Sequence, residues 1–432
     1  MSNRDHLHVL AIVNGDPLDN AGARLRIANW VASLPAQNAP RVSIQIRPKR
    51  FQDLFQAVSQ WLIKSSSTSR VVIVQKAFSL EMVALLLWLR LRQVAVVQDV
   101  CDPPIKVFNP EPMSKSFFAI FYLSLISRYL VDHLTVSSSV LARSFSDAFV
   151  PVTYIPDCID DRGPAGDVVP KPMLHIPVHA NFMGGPSRPE LKLLWFGNAA
   201  RAGSHSGIDE LYMATPLLLK LCSRFDVSLD VCTLLEAERF ADFQAWIVDM
   251  SSLEIAYYPW SLSVQNALLA RCHYCFLPRL QSLATFYKSP NRVLLAACHG
   301  RRTLSNIIAS DDYEDLAVLM PSDLAGAPSG FLPDEDRFSP DQFPLAWSRA
   351  SLCQQWCHVL HQANVRRHQN DRTPLGQHLL LRALLLGLST LISLIAFSKS
   401  MQKRSLPKQL RKLRFKDLLR RPRRAWKRRC KR

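Results

Sequence analysis

Two cations bracket a turn at Lys288-Ser289-Pro290-Asn291-Arg292, and the apolar run Val293 to Cys298 follows at once, stopping before Gly300. Pro and Asn are turn formers, and the run behind them reads as a buried helix. The free N–H groups and dipole of such a helix point at the same place as Lys288 and Arg292, an arrangement suited to an anion. Upstream, Leu193-Leu194-Trp195-Phe196-Gly197-Asn198 reads as a buried strand ending in a small-residue loop, with a helix beginning near Gly207-Ile208-Asp209. Gly197 and Asn198 form either a plain turn or a place where backbone approaches a ligand. The two stretches together point to a diphosphate-containing ligand held by Gly197, Asn198, Lys288, Ser289, Asn291 and Arg292.

Other residues carry chemistry at weaker spacing. Asp99 and Asp102 follow the apolar strand Val94 to Gln98 and are expected at a cleft rim, as a general base or orienter of an acceptor hydroxyl. Pro103-Pro104 behind them equally fits a turn or cap role for both aspartates. Arg24 and Arg26 lie beyond the loop after the first strand, where they bind an anionic acceptor or simply face solvent. Cys272-His273-Tyr274-Cys275 has no second close pair at ribbon spacing, so structural cysteines are expected rather than a metal site. His133, His273 and His299 sit in apolar context, the setting of core histidines.

These groups must be positioned by the elements around them. His8 to Val13, Val42 to Ile46, Val71 to Val74, Val94 to Gln98 and Leu134 to Ser137 read as short strands. Helical stretches alternate with them: Ile27 to Leu34, Phe51 to Ile63, Leu80 to Leu91 and Phe117 to Val131. That alternation predicts a parallel, doubly wound α/β sheet whose strand-to-helix loops gather at one edge. Residues 166–189, rich in Pro, Gly and His, read as a linker. A second alternating series covers residues 190–345, including Leu211 to Phe225 as one helix, and Leu345 to Ala363 is a closing helix. The expectation is two Rossmann-like domains, 1–165 and 190–345, facing each other across a cleft, with a helix over 346–370.

Charge is unevenly placed. The chain of 432 residues has 53 Lys and Arg against 35 Asp and Glu, but 17 of those bases and a single acid, Asp417, fall in residues 398–432. The body is therefore nearly neutral. Leu379 to Phe397 is apolar, yet residues 383–398, the uncharged part, span only about 24 Å as a helix, short of the ~30 Å hydrocarbon core. An apolar helix over 376–398 and a basic tail over 399–432 are expected to lie on an anionic membrane surface rather than to bind nucleic acid. Scattered cysteines and a polar start predict a reducing compartment, the protein being peripheral on the inner face of the cell membrane.

Trp195-Phe196-Gly197-Asn198, Gly207-Ile208 and Tyr287-Lys288-Ser289-Pro290-Asn291-Arg292 resemble the C-terminal half of GT-B glycosyltransferases, retaining family 4-like enzymes that use nucleotide-sugar donors. Gly22-Ala23-Arg24-Leu25-Arg26, Gln98 to Asp102, Ser137-Ser138-Ser139 and Tyr154-Ile155-Pro156-Asp157 are similar in outline to the N-terminal half, so the likeness covers roughly residues 8 to 365. The resemblance implies sugar transfer from a nucleotide-diphosphate donor to a lipid-linked or cell-envelope glycan acceptor. It implies no obligatory metal and no cofactor besides the nucleotide-sugar substrate. Retaining members commonly carry two glutamates eight residues apart flanking this turn; here Tyr287 and Leu295 stand at those positions. Their absence leaves donor and anomeric outcome open, and with them a non-catalytic, glycosyltransferase-like binding protein.

Overall fold

The structure, a computed structural model, describes residues 7–18, 20–35, 39–65, 69–77, 79–101, 129–146, 150–159, 170–177, 188–199, 207–250, 252–278, 289–305 and 347–370. Among the described residues, those up to His368 form one compact unit. The expected apolar helix and basic tail, Asp102, Lys288 and the stretch from Phe117 to Arg128 lie outside the described residues. No helix among the described residues is long and apolar enough to cross a membrane.

Within that unit the expected pair of α/β halves is present. The first half carries β1 (His8–Val13), β2 (Arg41–Ile46), β3 (Arg70–Gln75), β4 (Ala95–Val100), β5 (His133–Val136) and β6 (Val152–Tyr154). They pair in the order β2-β1-β3-β4-β5-β6, every pair parallel. The second half carries β7 (Leu174–Ile176), β8 (Glu190–Phe196), β9 (Asp226–Thr233), β10 (Glu254–Pro259), β11 (Tyr274–Phe276) and β12 (Arg302–Leu304), ordered β12-β11-β8-β9-β10-β7. In both sheets the chain order reverses at one point, between β1 and β3 and between β8 and β11. Ligands of such sheets sit beyond the carboxyl ends of the strands at that point.

Strand β8 shows why its sequence reads as a continuous apolar run. Leu191, Leu193 and Trp195 point into one core with the helices Ile208–Met213, Thr215–Cys222 and Ala237–Asp249. Leu194 and Phe196 point into the other, against the helices Leu262–Arg271 and Asn291–Cys298. A strand buried on both faces has no polar alternation.

Three elements differ from the sequence reading. The helix expected over Leu211 to Phe225 is two, breaking at Ala214, because Pro216 lacks an N–H and fits only a helix's first turn. The expected linker 166–189 contains β7, antiparallel to β10 with Leu174 opposite Tyr257 and Ile176 opposite Ile255. The closing helix runs Arg349–Asn370 and returns to the first half. There Leu352, Trp356, Val359, Leu360 and Ala363 share one core with Val9, Ala11, Trp30 and Ile73. Trp30 and Trp356 stack with ring centroids 5.2 Å apart.

Candidate functional site

The carboxyl edges of the two sheets border a cleft of about 580 Å³. Its second-half wall is built at the end of β8. Phe196 gives its carbonyl to Nη1 of Arg292, 3.0 Å away, and a Cβ at Gly197 would stand only 2.8 Å from that nitrogen. Gly197 is therefore the residue that lets the Arg292 guanidinium pass beneath the loop. Gly207 has φ +68°, and a Cβ there would fall 2.4 Å from the Asn198 carbonyl oxygen and 2.7 Å from that of Ala199. The loop leaving β8 thus folds back onto the helix Ile208–Met213, whose first N–H reaches the Ala199 carbonyl at 3.2 Å.

The helix Asn291–Cys298 starts at the same wall. Ser289, Asn291 and Arg292 border the cleft with Gly197 and Asn198, so these five predicted donor-side residues are brought together. Asn291 donates from Nδ2 to Asp157 Oδ2 at 3.1 Å, tying the helix to the segment that follows β6. Leu295, standing where the resemblance expects a glutamate, also lines the cleft.

The first-half wall is the turn after β1 and the helix it feeds. Asn20 caps that helix by accepting the Ala23 N–H at 3.0 Å, and the chain then takes a π-helical turn over Arg24–Ala28. Single π-turns frequently mark functional positions, because the extra residue re-aims a side chain. Arg24 lines the cleft, its guanidinium carbon 5.7 Å from the centroid of the Trp260 ring in the opposite half. Trp260 is held in turn, its indole N–H donating to Gln265 Oε1 at 2.8 Å.

Two predicted site residues are placed differently. Asp99 does not reach the rim: strand β4 runs on to Val100, so Asp99 lies inside the sheet, fully buried. Its carboxylate accepts from Arg26 Nη2 at 2.6 Å, Thr135 Oγ1 at 2.8 Å and Gln75 Nε2 at 3.0 Å. With both oxygens occupied and no path to the cleft, it has no geometry for taking a proton from an acceptor. Arg26 borders the cleft floor but is 1% exposed and committed to Asp99, to Asp157 at 3.5 Å and to the Ile155 carbonyl. Burial pushes the Arg26 guanidinium down, but Asp99 and Asp157 outweigh it and hold the group above its ordinary range.

Residues without a strong sequence signal complete the site. Lys76 follows β3 at the sheet's carboxyl edge, in a left-handed conformation with φ +51°, and lines the cleft. Its place after a strand was the available clue. Asp157 is the one acidic residue bordering the cleft among the described residues. Burial raises its carboxyl, opposed by Arg26 and by the hydrogen bond from Asn291. The described lining is thus rich in Arg and Lys, with polar backbone at two strand ends, and suits an elongated anion reaching both halves. Among the described residues no group of His, Cys, Asp and Glu is placed to hold a metal. Cys272 and Cys275 are buried free thiols, and His273 Nδ1 accepts the Lys192 N–H at 3.0 Å.

No family model and no curated protein matches the sequence. Solved structures resemble it in outline. The UDP-GlcNAc 2-epimerase of Methanocaldococcus jannaschii is 9% identical with a TM-score of 0.44, over 82% of this chain and 100% of that one. Trehalose-6-phosphate synthase OtsA is 10% identical with a TM-score of 0.46, over 87% and 98%. The lipopolysaccharide outer core galactosyltransferase WaaB is 11% identical with a TM-score of 0.41, over 84% and 98%. At such values the likeness assigns no activity to this chain.

Proposed function

We propose that this chain is a GT-B type glycosyltransferase that moves a sugar from a nucleotide-diphosphate donor to a lipid-linked or cell-envelope glycan acceptor. The observation that carries the reading is the convergence of Arg292, Asn291, Ser289 and the Gly197 loop on one cleft wall, opposite Arg24 and Lys76 on the other. In this mechanism the second half grips the donor diphosphate with Arg292, Lys288 and backbone near Gly197. Neutralising a leaving diphosphate is the main electrostatic need of the transfer. Arg24 and Lys76 meet an anionic group of the acceptor, and closing of the halves excludes water. Asp157, bordering the cleft with its carboxyl raised by burial, is the acid–base candidate. Residues 376–432 dock on an anionic membrane face, and the protein works on the cytoplasmic side.

The test is calorimetric titration with UDP, GDP and their common sugar conjugates, beside Lys288→Ala and Arg292→Gln variants. Micromolar binding that weakens at least tenfold in either variant supports the donor site; no binding to any of them sinks it. Leu295 on the cleft wall favours a second reading, a non-catalytic nucleotide- or glycan-binding scaffold. Saturable donor binding without sugar transfer would select it. Loss of anionic vesicle binding on deletion of residues 376–432 tests the membrane role.

A further inference from the structure

Glu210 stands in the first turn of the helix Ile208–Met213 with its side chain wholly buried. Neither of its carboxylate oxygens has a hydrogen-bond partner among the described residues. What faces it is Arg292, from the helix Asn291–Cys298, with Nη2 3.6 Å from Oε2. A buried carboxylate without hydrogen bonds is costly, and a guanidinium at that range is what makes it tolerable. Arg292 is confined from two more sides: the Phe196 carbonyl accepts Nη1 at 3.0 Å, and Gly197 leaves the space a Cβ would fill. A buried anion, a carbonyl and a glycine therefore define one place for the guanidinium, at the edge of the cleft.

We propose that Glu210 is a positioning residue for Arg292, an internal anion that fixes the guanidinium and lowers the positive charge it offers to a ligand phosphate. This rests on the reading of Arg292 as a contact to the donor diphosphate. The sign of its effect follows from electrostatics. Glu210 and the ligand anion compete for one cation, so removing the Glu210 charge strengthens ground-state binding. The same change loosens the guanidinium, so turnover falls while affinity rises. A residue that merely supports the fold gives no such split.

The experiment is a double-mutant cycle on the full chain with Glu210→Gln, Arg292→Gln and both together. Two readings are taken: calorimetric affinity for UDP and for inorganic pyrophosphate, and the urea midpoint of unfolding. Glu210→Gln is expected to tighten pyrophosphate at least threefold, and to change nothing in the Arg292→Gln background. In unfolding, the double variant is expected to lose less than the two single losses added. Unchanged or weaker binding in Glu210→Gln, an equal effect in both backgrounds, or additive unfolding losses would each overturn the proposal. If Glu210→Gln alone does not fold, recovery on adding Arg292→Gln supports the pairing and failure to recover overturns it. A wild-type chain that binds neither probe overturns the donor-site reading and the tuning role with it, and the unfolding cycle separately decides whether the two side chains are coupled.

Discussion

Asp99 and Arg26 form the buried anchor of the first half, and their substitution should be read in stability before activity. Asp99→Asn leaves Arg26 with a weaker partner at 0% side-chain exposure. Breaking such a pair costs on the order of 3–5 kcal/mol, visible as a lower urea midpoint in the absence of any ligand. A variant that melts like wild type would remove the anchor assignment. His133 gives a pH signature. Burial first, then Arg366 and His358, lower it to about 4, so the unfolded chain, titrating near 6.5, binds the extra proton between those values. Stability is then fully present above about pH 6.5 and falls by up to about 1.4 kcal/mol per pH unit on acidification toward 4. His133→Gln should flatten that part of the Tm-against-pH curve. The sequence reading ended the strand at Gln98 and put Asp99 beyond it, whereas β4 runs on to Val100 and is buried at all its positions, so no polar alternation marked where it stopped.

At the scale of elements, the loop leaving β8 sets the second-half wall, and its glycines divide the work. Gly207→Ala meets the Asn198 carbonyl at 2.4 Å and requires a left-handed alanine, so it should lower Tm by several degrees with or without ligand. Gly197→Ala meets the Arg292 guanidinium at 2.8 Å and also places an alanine at φ +159°. It should lower Tm as well, and beyond that weaken UDP binding at least tenfold, as calorimetry and melting on the same samples would reveal. Equal effects of the two substitutions on binding would contradict this division. In the sequence Gly197 was visible as a loop residue and Gly207 as a helix start. Their reasons were not, since each is defined by an atom brought in from elsewhere: Arg292 from a helix far along the chain, and the Asn198 carbonyl by the fold-back of the loop.

Over the whole molecule, a ligand reaching both walls should stabilise both halves together. UDP at a hundred times its Kd should raise the unfolding free energy by about 2.7 kcal/mol, as a single shifted transition in differential scanning. A shift confined to one of two separable transitions would mean that the cleft does not couple the halves. The two-sheet plan was legible because strands such as His8–Val13 and helices such as Leu80–Leu91 carry complete local patterns. Strand β7, three residues long and paired antiparallel at an edge, carries none. The return of the closing helix was equally silent, because an amphipathic face does not name its partner.

That return has a consequence for how the chain is made. The core of the first half takes Leu352, Trp356, Val359, Leu360 and Ala363 from the last described helix, and Trp356 lies against Trp30. A ribosome that has delivered the whole first sheet has therefore delivered an open core, whose apolar floor waits for residues nearly two hundred positions further on. The first half is not a module that can be finished and set aside during synthesis. A chain truncated before residue 349 should accumulate as aggregate rather than as a folded half, and a separately supplied peptide covering 347–370 should recover soluble material.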